Sequence, residues 1–280
     1  MHPCAGEDML CQGYLAPSVL GARVLGPGIP GVTGIGMVKI GIFGTGRFGS
    51  FWATALSRVA EVVVYNRSER PVPEGTRLVS MEELGTCDAV MLCVAISSVE
   101  PAVTALVPYL QPQCVLMDTC SVKIFPTTLM SEAAPPATAI IGTHPMFGPD
   151  SASGGLSDLP LVFCPVRCTD TTADTWRAFF GAMGLRVLDM TPDEHDREAA
   201  FTQGITHFLG RVLADMGLHP SAMATVGYRK VLEVMEQTCN DPYTLFQDLQ
   251  RLNPHTAEMR VRLRDSFERV MRALESRLDT

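Results

Sequence analysis

The sequence predicts an α/β fold, in which a doubly wound, mostly parallel sheet is followed by a smaller all-helical domain. Short apolar runs alternate with helical segments as far as Leu188, and a glycine-rich turn follows the first of these runs. Repeated strand–helix alternation builds a parallel sheet with helices on both faces. No convincing strand follows Thr191-Pro192, so only helices are expected there.

The predicted strands are short apolar or β-branched runs, such as Val62-Val63-Val64, that are bounded by turn residues. They comprise Val38–Phe43, Glu61–Tyr65, Ala89–Val94, Cys114–Met117, Ala139–Ile141, Leu161–Pro165 and Leu185–Leu188. The helices expected between them are Phe48–Val59, Glu100–Leu110, Pro126–Ala133 and Ala173–Met183.

The helical domain is predicted to begin with a long helix, Asp193–Gly217, with Thr191 as its cap and Pro192 in its first turn. Three further helices are expected, Ser221–Thr238, Pro242–Leu252 and Thr256–Leu278. Because this domain is small, we expect its helices to bury apolar faces against a second copy of the chain. The predicted assembly is therefore a homodimer.

Composition excludes several classes of function. The chain has 46% hydrophobic and 19% charged residues, which is typical of a globular protein, and its net charge of −8 argues against a nucleic-acid partner. No apolar run reaches the ~20 residues that cross a bilayer, so no membrane association is expected. The nine cysteines lack the spacing of a metal site, which favours free thiols in a reducing, cytoplasmic compartment and predicts no bound metal.

Residues 1–36 are rich in Gly, Pro, Ala and Val, without the features of a secretory signal or a transit peptide. Because Met37 directly precedes the first strand, we expect a poorly ordered extension or a start at Met37. An ordered arm packed on the domain is the alternative. The predicted domains are a dinucleotide-binding domain over 37–190 and a helical substrate and dimerisation domain over 191–280.

A glycine-rich turn between the first strand and the first helix predicts a dinucleotide-binding, Rossmann-type domain. In such turns the first glycine permits a tight turn, the second admits the pyrophosphate, and the third lets helix and strand pack closely. The helix then offers free N–H groups to the phosphates. The residues expected to contact the cofactor are Gly44, Thr45, Gly46, Arg47, Phe48 and Gly49. The alternative is a glycine-rich turn without a ligand.

The residues after the second strand favour NADP over NAD. An NAD site usually places Asp or Glu there, but this chain has Asn66, Arg67 and Ser68. An arginine pairs well with a 2′-phosphate, and a serine adds a hydroxyl donor. Val94, at the end of the third strand, and Ser97, just after it, are also expected to contact the cofactor. Alternatively, Arg67 is only a solvated loop charge.

Two polar segments follow neighbouring strands of the predicted sheet. Asp118 to Lys123 follows one strand, and a loop from Thr143 to Pro149 follows another. Because the carboxyl ends of strands in an open α/β sheet line one crevice, the nicotinamide is expected to lie across both segments. A histidine in this position, His144, is a candidate base for a substrate hydroxyl.

Four motifs together resemble the prephenate/arogenate dehydrogenases of tyrosine biosynthesis. The resemblance covers about Lys39 to Asn253 and looks most like the plant-type arogenate branch. It implies a Rossmann domain followed by a helical dimerisation domain. The motifs are the glycine turn, Asp118-x-x-Ser121-x-Lys123, His144-Pro145-Met146-Phe147-Gly148-Pro149 and Gln203-Gly204-Ile205-Thr206-His207.

The resemblance implies an oxidative decarboxylation of arogenate or prephenate, in which a hydride passes to NADP⁺ and carbon dioxide departs. His144 would accept the hydroxyl proton, Ser121 would hold the hydroxyl or His144, and Lys123 would support the substrate loop or the local field. Ordinary structural roles are the alternatives. His144 would then satisfy a loop carbonyl, Ser121 would cap a helix, and Asp118 would bind its own turn.

The helical domain is expected to supply further substrate contacts. Gln203, His207 and Arg211 are four residues apart and share a helix face. The resemblance implies that His207 lines the substrate site, and Arg211 would pair with a substrate carboxylate or with Asp215. Asp158 corresponds to an acidic residue of plant-type enzymes that meets the substrate amine, which favours arogenate over prephenate. His207 as a buried, internally bonded histidine and Asp158 as a turn residue are the alternatives.

The chain departs from many bacterial members of this family, which carry a histidine at the position of Gly204 and an arginine near Glu236. Arg229 or Lys230 would replace that arginine, or the substrate is held differently, or the protein is a decayed member. Other functions left open are an NADP-linked hydroxyacid or imine enzyme and a non-catalytic NADP sensor. The absence of lysine from Asp193–Gly217 counts against a hydroxyacid enzyme.

Overall fold

A computed structural model describes residues 37–275, so the expectations for 1–36 and for the last residues of the final helix lie outside the described region. Its centre is an eight-stranded sheet in the order β3-β2-β1-β4-β5-β6-β7-β8. The strands are β1 Lys39–Phe43, β2 Glu61–Tyr65, β3 Arg77–Leu78, β4 Ala89–Leu92, β5 Val115–Asp118, β6 Ala139–Pro145, β7 Pro160–Arg167 and β8 Arg186–Asp189.

Helices cover both faces of the sheet and then continue alone to the end of the described region, which confirms the predicted fold class. The helices are α1 Arg47–Leu56, α2 Met81–Leu84, α3 Val99–Leu106, α4 Ile124–Ala133, α5 Asp170–Ala182, α6 Pro192–Ala199, α7 Ile205–Asp215, α8 Val226–Asn240, α9 Tyr243–Leu252 and α10 Thr256–Glu275. None of the helices in residues 37–275 is long and apolar enough to cross a membrane.

Alternate side chains of the strands enter two separate cores, as a sheet covered on both faces requires. Ile40 and Ile42 belong to a cluster with Trp52 of α1 and Phe180 of α5. Val63 and Val90 face the opposite cluster, which contains side chains of α3 and α4. Burying one large apolar side chain contributes about 1.5–3 kcal/mol, so the two cores fix the strand ends that carry the site.

Strand β6 is longer than the sequence predicted, and this corrects the position of His144. The apolar run ends at Ile141, and its parallel partner β5 ends at Asp118, opposite Gly142. Antiparallel pairing with β7 continues the strand to Pro145, with His144 opposite Val162. His144 therefore lies in a strand rather than in a loop, because β7 supplies hydrogen bonds that an apolar pattern cannot reveal.

The long helix predicted over Asp193–Gly217 is interrupted by a π-helical segment, Ala200–Gly204, between α6 and α7. A Cβ on Gly204 would lie 3.2 Å from the carbonyl oxygen of Ala199, so the glycine suits this wider turn. Thr191 caps α6 with a reciprocal bond to Glu194, and Pro192 is its first residue, as predicted. Such π segments often occur at functional sites.

Candidate active site

The crevice of the sheet lies where β1 is flanked by β2 on one side and β4 on the other, since the strand order reverses there. Gly44 has a positive φ of 101°, which glycine adopts readily. A Cβ on Gly49 would lie 2.0 Å from the carbonyl oxygen of Gly44, so the helix and the turn touch at backbone level. The turn therefore needs both glycines.

Gly46 is different, because a Cβ placed there would meet nothing within 4 Å. It is the N-cap of α1, which has no side-chain cap and no acidic residue in its first turn. An open space before uncapped N–H groups fits the pyrophosphate of a dinucleotide. Arg47 is beside this space, and its guanidinium contacts Asp150 at 2.5 Å.

The other predicted cofactor residues surround the same turn. Asn66 accepts a hydrogen bond from the backbone N–H of Thr45 at 2.6 Å and so ties the end of β2 to the turn. Arg67 and Ser68 are exposed. Phe48 faces the protein, where its ring stacks on Trp52 at 6.1 Å.

The segment after β4 completes the crevice from its other side. Val94 lies beside Gly44, because a Cβ on that glycine would be 3.0 Å from the Val94 Cγ1. Ser97 is exposed at the first turn that follows. Val94 therefore borders the glycine turn, and the cofactor contact of Ser97 stays a prediction.

His144 begins a buried chain of three polar side chains. Its Nδ1 is 2.9 Å from Nε2 of His195, and Nδ1 of His195 is 2.8 Å from a carboxylate oxygen of Asp196. Asp196 is fully buried and also accepts hydrogen bonds from the backbone N–H groups of Lys123 and Ile124 at 2.6 and 2.9 Å. The first turn of α6 is thereby fixed against the start of α4.

The geometry of this chain determines where the protons lie. His195 donates its Nδ1–H to Asp196, so its Nε2 is an acceptor for the Nδ1–H of His144. The Nε2 of His144 then keeps its lone pair. Burial, followed by the neighbouring His195 and Lys123, holds the pKa of His144 well below its ordinary value. A neutral imidazole with a free Nε2 can accept a proton.

Lys123 is fully buried behind the same strand ends and forms an ion pair with Asp118. Its ammonium also donates to the carbonyl oxygen of Thr143 at 2.6 Å, immediately before His144. Asp118 accepts the backbone N–H of Cys120 at 2.9 Å, the structural role considered for it from the sequence. Lys123 thus supports the histidine from inside the protein.

Several buried polar side-chain atoms in the described part of the chain lack a hydrogen-bond partner. Within residues 37–275, four of them belong to predicted site residues: Ser121 Oγ, Gln203 Oε1, His207 Nδ1 and Arg211 Nε. Leaving a buried polar group unpaired costs about 1–3 kcal/mol. A polar substrate would provide partners for such groups, which fits the predicted substrate-binding role.

The side chains of His207 and Arg211 both lie near Asp241. The Nε2 of His207 is 3.7 Å from the Asp241 carboxylate. Arg211 donates to the carbonyl oxygens of Thr238 and Asp241 at 3.3 and 2.7 Å and lies over the ring of Tyr243, rather than pairing with Asp215. The pKa of His207 is lowered, chiefly because the ring is buried. Asp241 acts in the opposite direction, and Arg211 lowers the pKa further.

Asp158 is placed away from this group of charges. Its side chain is 86% exposed, and its carboxylate lies 3.6 Å from Nε of Arg186. Its positive φ of 61° marks a tight turn before β7. The structure therefore brings His144, Lys123 and Ser121 together around neighbouring strand ends, but leaves Asp158 in solvent.

His195 and Asp196 were not identified from the sequence, and Asp241, although part of the Tyr228…Asp241…Leu245…Asn253 run that resembles the plant-type branch, was given no role. Glu194-His195-Asp196 follows a helix cap, where acidic residues are usual, so nothing in the pattern distinguished it. The available signal was a histidine among acids on a face that must meet the sheet. Within residues 37–275, no cluster of metal-ligating side chains accompanies these residues.

A doubly wound sheet with an open glycine turn and a buried histidine defines the class as a dinucleotide-dependent dehydrogenase. A family model for the nucleotide-binding domain of prephenate dehydrogenase matches residues 74–188, and a TYRAAT1-like C-terminal domain matches 212–280. Arogenate dehydrogenase 2, chloroplastic, of Arabidopsis thaliana is 33% identical over 84% of this chain and 69% of its own length. The chain belongs to the prephenate/arogenate dehydrogenase family.

Two further relatives extend the comparison. Arogenate dehydrogenase 1, chloroplastic, of the same plant is 32% identical over 84% of this chain, which spans only 39% of that longer protein. The crystal structure of prephenate dehydrogenase from A. aeolicus, in complex with hydroxyphenyl propionate and NAD+, has a TM-score of 0.66 and 18% identity. It covers 86% of this chain and 91% of its own, which shows a shared fold.

Proposed function

We propose that this protein catalyses the NADP⁺-dependent oxidative decarboxylation of arogenate, with His144 as the general base. The observation that carries the proposal is the buried chain from His144 through His195 to Asp196. The ring carbon that bears the hydroxyl loses a hydride, its hydroxyl passes its proton to His144, and carbon dioxide leaves as the ring becomes aromatic. The proton then returns from His144 to the ring oxygen, which completes the phenol. NADP⁺, when bound, accepts the hydride.

The protein's own contribution is proton handling and orientation. The Nε2 of His144 takes the hydroxyl proton, and its Nδ1–H remains bonded to His195. The carboxylate of Asp196 stabilises the positive charge that develops along the two imidazoles. Ser121, whose buried hydroxyl lacks a partner, orients the substrate hydroxyl toward His144.

The preference for NADP⁺ rests on the end of β2. Asn66 there is bound to the glycine turn, so no carboxylate occupies the place where the adenine ribose lies in such folds. Arg67 and Ser68 are exposed beside it. A guanidinium and a hydroxyl suit a 2′-phosphate.

The preference for arogenate rests on Asp241 rather than on Asp158. Arogenate carries an ammonium group where prephenate carries a keto group, and a carboxylate favours the ammonium. Asp241 adjoins His207, and its side chain is 34% exposed. The carboxylate of Asp158 is exposed to solvent and lies beside the guanidinium of Arg186 instead. Arg211 keeps an unpaired Nε–H that would donate to a substrate carboxylate. Gln203 keeps an unpaired amide oxygen that would accept a hydrogen bond from the substrate.

We also infer a homodimer formed through the helical domain. The last helix, α10, exposes a stripe of apolar side chains with helical spacing. Phe267 is 67%, Val270 61% and Leu274 60% exposed. A second copy of the chain would cover this stripe. The domain boundary at 190/191, the cytoplasmic location and the nature of residues 1–36 stay predictions.

The proposed function is tested by initial rates of dinucleotide reduction with arogenate and with prephenate, each with NADP⁺ and with NAD⁺. We expect the highest kcat/KM for arogenate with NADP⁺. A higher kcat/KM for prephenate would contradict the assignment of Asp241. Dinucleotide binding without reduction by either substrate would instead indicate a cofactor-sensing protein.

A further inference from the structure

A contact between the two domains lies on the cofactor side of the crevice. One carboxylate oxygen of Asp248, on α9 of the helical domain, accepts two hydrogen bonds from Ser97. The backbone N–H donates at 3.0 Å and the hydroxyl at 2.8 Å. Within residues 37–275, Asp248 forms no other hydrogen bond or ion pair with a side chain. Among the described residues, the side chain of Asp248 therefore binds Ser97.

Helix α9 is firmly attached to the sheet domain at this point. Leu249, the residue after Asp248, is fully buried in the apolar cluster that also contains Ile96 and Val99. Ile96 and Val99 flank Ser97 and belong to the first turns that lead into α3. Because an apolar anchor and a carboxylate act on the same turn, α9 fixes this turn from outside.

The turn lacks a cap of its own. Ala95, the N-cap of the turn Ile96–Ser98, forms no side-chain capping bond. The N–H groups of Ser98 and Val99 donate to the carbonyl oxygens of Ala95 and Ile96, whereas the N–H of Ser97 donates to Asp248. An acidic group is favourable at a helix N-terminus because of the helix dipole. Asp248 supplies that group from another domain. Without it, the segment that carries Ser97 would lose its main polar restraint.

The segment just before this turn borders the glycine turn directly. A Cβ on Gly44 would lie 2.7 Å from the carbonyl oxygen of Cys93 and 3.0 Å from Val94. The segment from Cys93 to Ser97 therefore forms one wall of the crevice, and α1 forms the other. Movement of the wall by a fraction of an ångström would change contacts along a bound dinucleotide.

We propose that Asp248 is a positioning residue for cofactor binding, which holds the turn of Ser97 and Val94 in the geometry that the dinucleotide needs. The inference rests on the proposed function, since it requires a dinucleotide in this crevice. It assigns to the helical domain a role in cofactor affinity, in addition to its substrate contacts.

The test compares NADPH binding, measured by fluorescence titration, for wild type, Asp248→Ala and Asp248→Asn. We expect Asp248→Ala to weaken the Kd about tenfold, the effect of losing bonds to one partly exposed charged acceptor. Asp248→Asn keeps an acceptor oxygen and should recover part of the loss. The KM for arogenate and the kcat at saturating NADP⁺ should change less than about twofold, a split that a general loss of stability would not produce.

Glu100→Gln is the matched control, because Glu100 is an exposed acidic residue in the first turn of α3 and does not bind Ser97. It should leave the Kd unchanged. Ser97→Ala combined with Asp248→Ala should lose less affinity than the two single losses added together. Equal NADPH affinity in wild type and Asp248→Ala, or full additivity, would overturn the inference alone. A wild-type protein that binds no dinucleotide would overturn the proposed function itself.

Discussion

His144 shows how a single residue gains its properties from distant parts of the chain. Its strand position comes from pairing with β7, its hydrogen bond from His195 of α6, and its nearby positive charge from Lys123. None of these partners is adjacent to it in sequence. The residue type and its place near a strand end were predictable, whereas its position within the strand and its proton arrangement depend on contacts that no local pattern contains.

The pH dependence of the reaction tests the influence of Lys123 on this histidine. Because the pKa of His144 is lowered, the base is neutral at neutral pH, and kcat/KM should fall only as the pH drops through that lowered pKa. The double variant Lys123→Met/Asp118→Asn removes the positive charge of Lys123, which lowers the pKa of His144. Changing Asp118 as well leaves no unpaired buried carboxylate behind. The acidic limb of the profile should therefore move to higher pH.

Arg58→Met, which removes an exposed positive charge from the turn after α1, is the control for that profile. Its acidic limb should coincide with that of the wild type. If the limb of the paired variant also stays in place, Lys123 does not act on the pKa of the base.

Arg67 provides the test of cofactor choice at the residue scale. Its guanidinium is exposed at the end of β2, so Arg67→Ala should not disturb the fold. We expect the KM for NADP⁺ to rise about tenfold or more while the KM for NAD⁺ changes little, since only NADP⁺ has a 2′-phosphate to lose. Steady-state kinetics with both dinucleotides measures this difference. Equal losses for both would show that Arg67 does not read the phosphate.

At the scale of elements, periodicity located most of the sheet and helices, and the exceptions have physical causes. Strand β3 is only two exposed residues, Arg77–Leu78, which no apolar pattern marks. The π segment is hidden because a helix with one wider turn keeps nearly the same sequence spacing. Asp196 was missed, and Asp241 had no assigned role, because Lys123, Ile124 and His207, which they contact, come from other elements.

The glycine turn gives a matched pair of variants. Gly49→Ala would place a methyl group 2.0 Å from a backbone oxygen, so the turn must move, whereas Gly46→Ala meets open space in the protein. We expect Gly49→Ala to lower the free energy of unfolding by more than about 2 kcal/mol. Gly46→Ala should keep the melting temperature but weaken NADPH binding. Thermal melts and titrations of both variants decide this. Unchanged NADPH binding by Gly46→Ala would mean that no phosphate lies there.

For the whole molecule, the sequence predicted a sheet domain followed by helices, and the structure adds how the two are joined. Asp196 caps α4, Leu249 enters the core on one face of the sheet, and Asn253 donates to the carbonyl oxygen of Asp196 at 2.7 Å. These contacts fix the helical domain over the strand ends. Long-range packing of this kind is not encoded in any local motif.

The homodimer is testable through the exposed stripe on α10. Phe267→Asp places a charge in the stripe, and burying that charge in an interface is unfavourable. We expect wild type to be a dimer and this variant a monomer by light scattering after gel filtration. Arg269→Asp, on another face of the same helix, should remain dimeric. Monomeric wild type would contradict the proposed assembly.

The most direct test of the account compares turnover and cofactor binding in His144→Asn. Asparagine can keep the bond to His195 but cannot accept a proton, so kcat with arogenate and NADP⁺ should fall at least about a hundredfold. NADPH affinity should stay within about twofold of wild type, because the glycine turn is untouched. Turnover near the wild-type rate, with binding intact, would show that another group removes the proton.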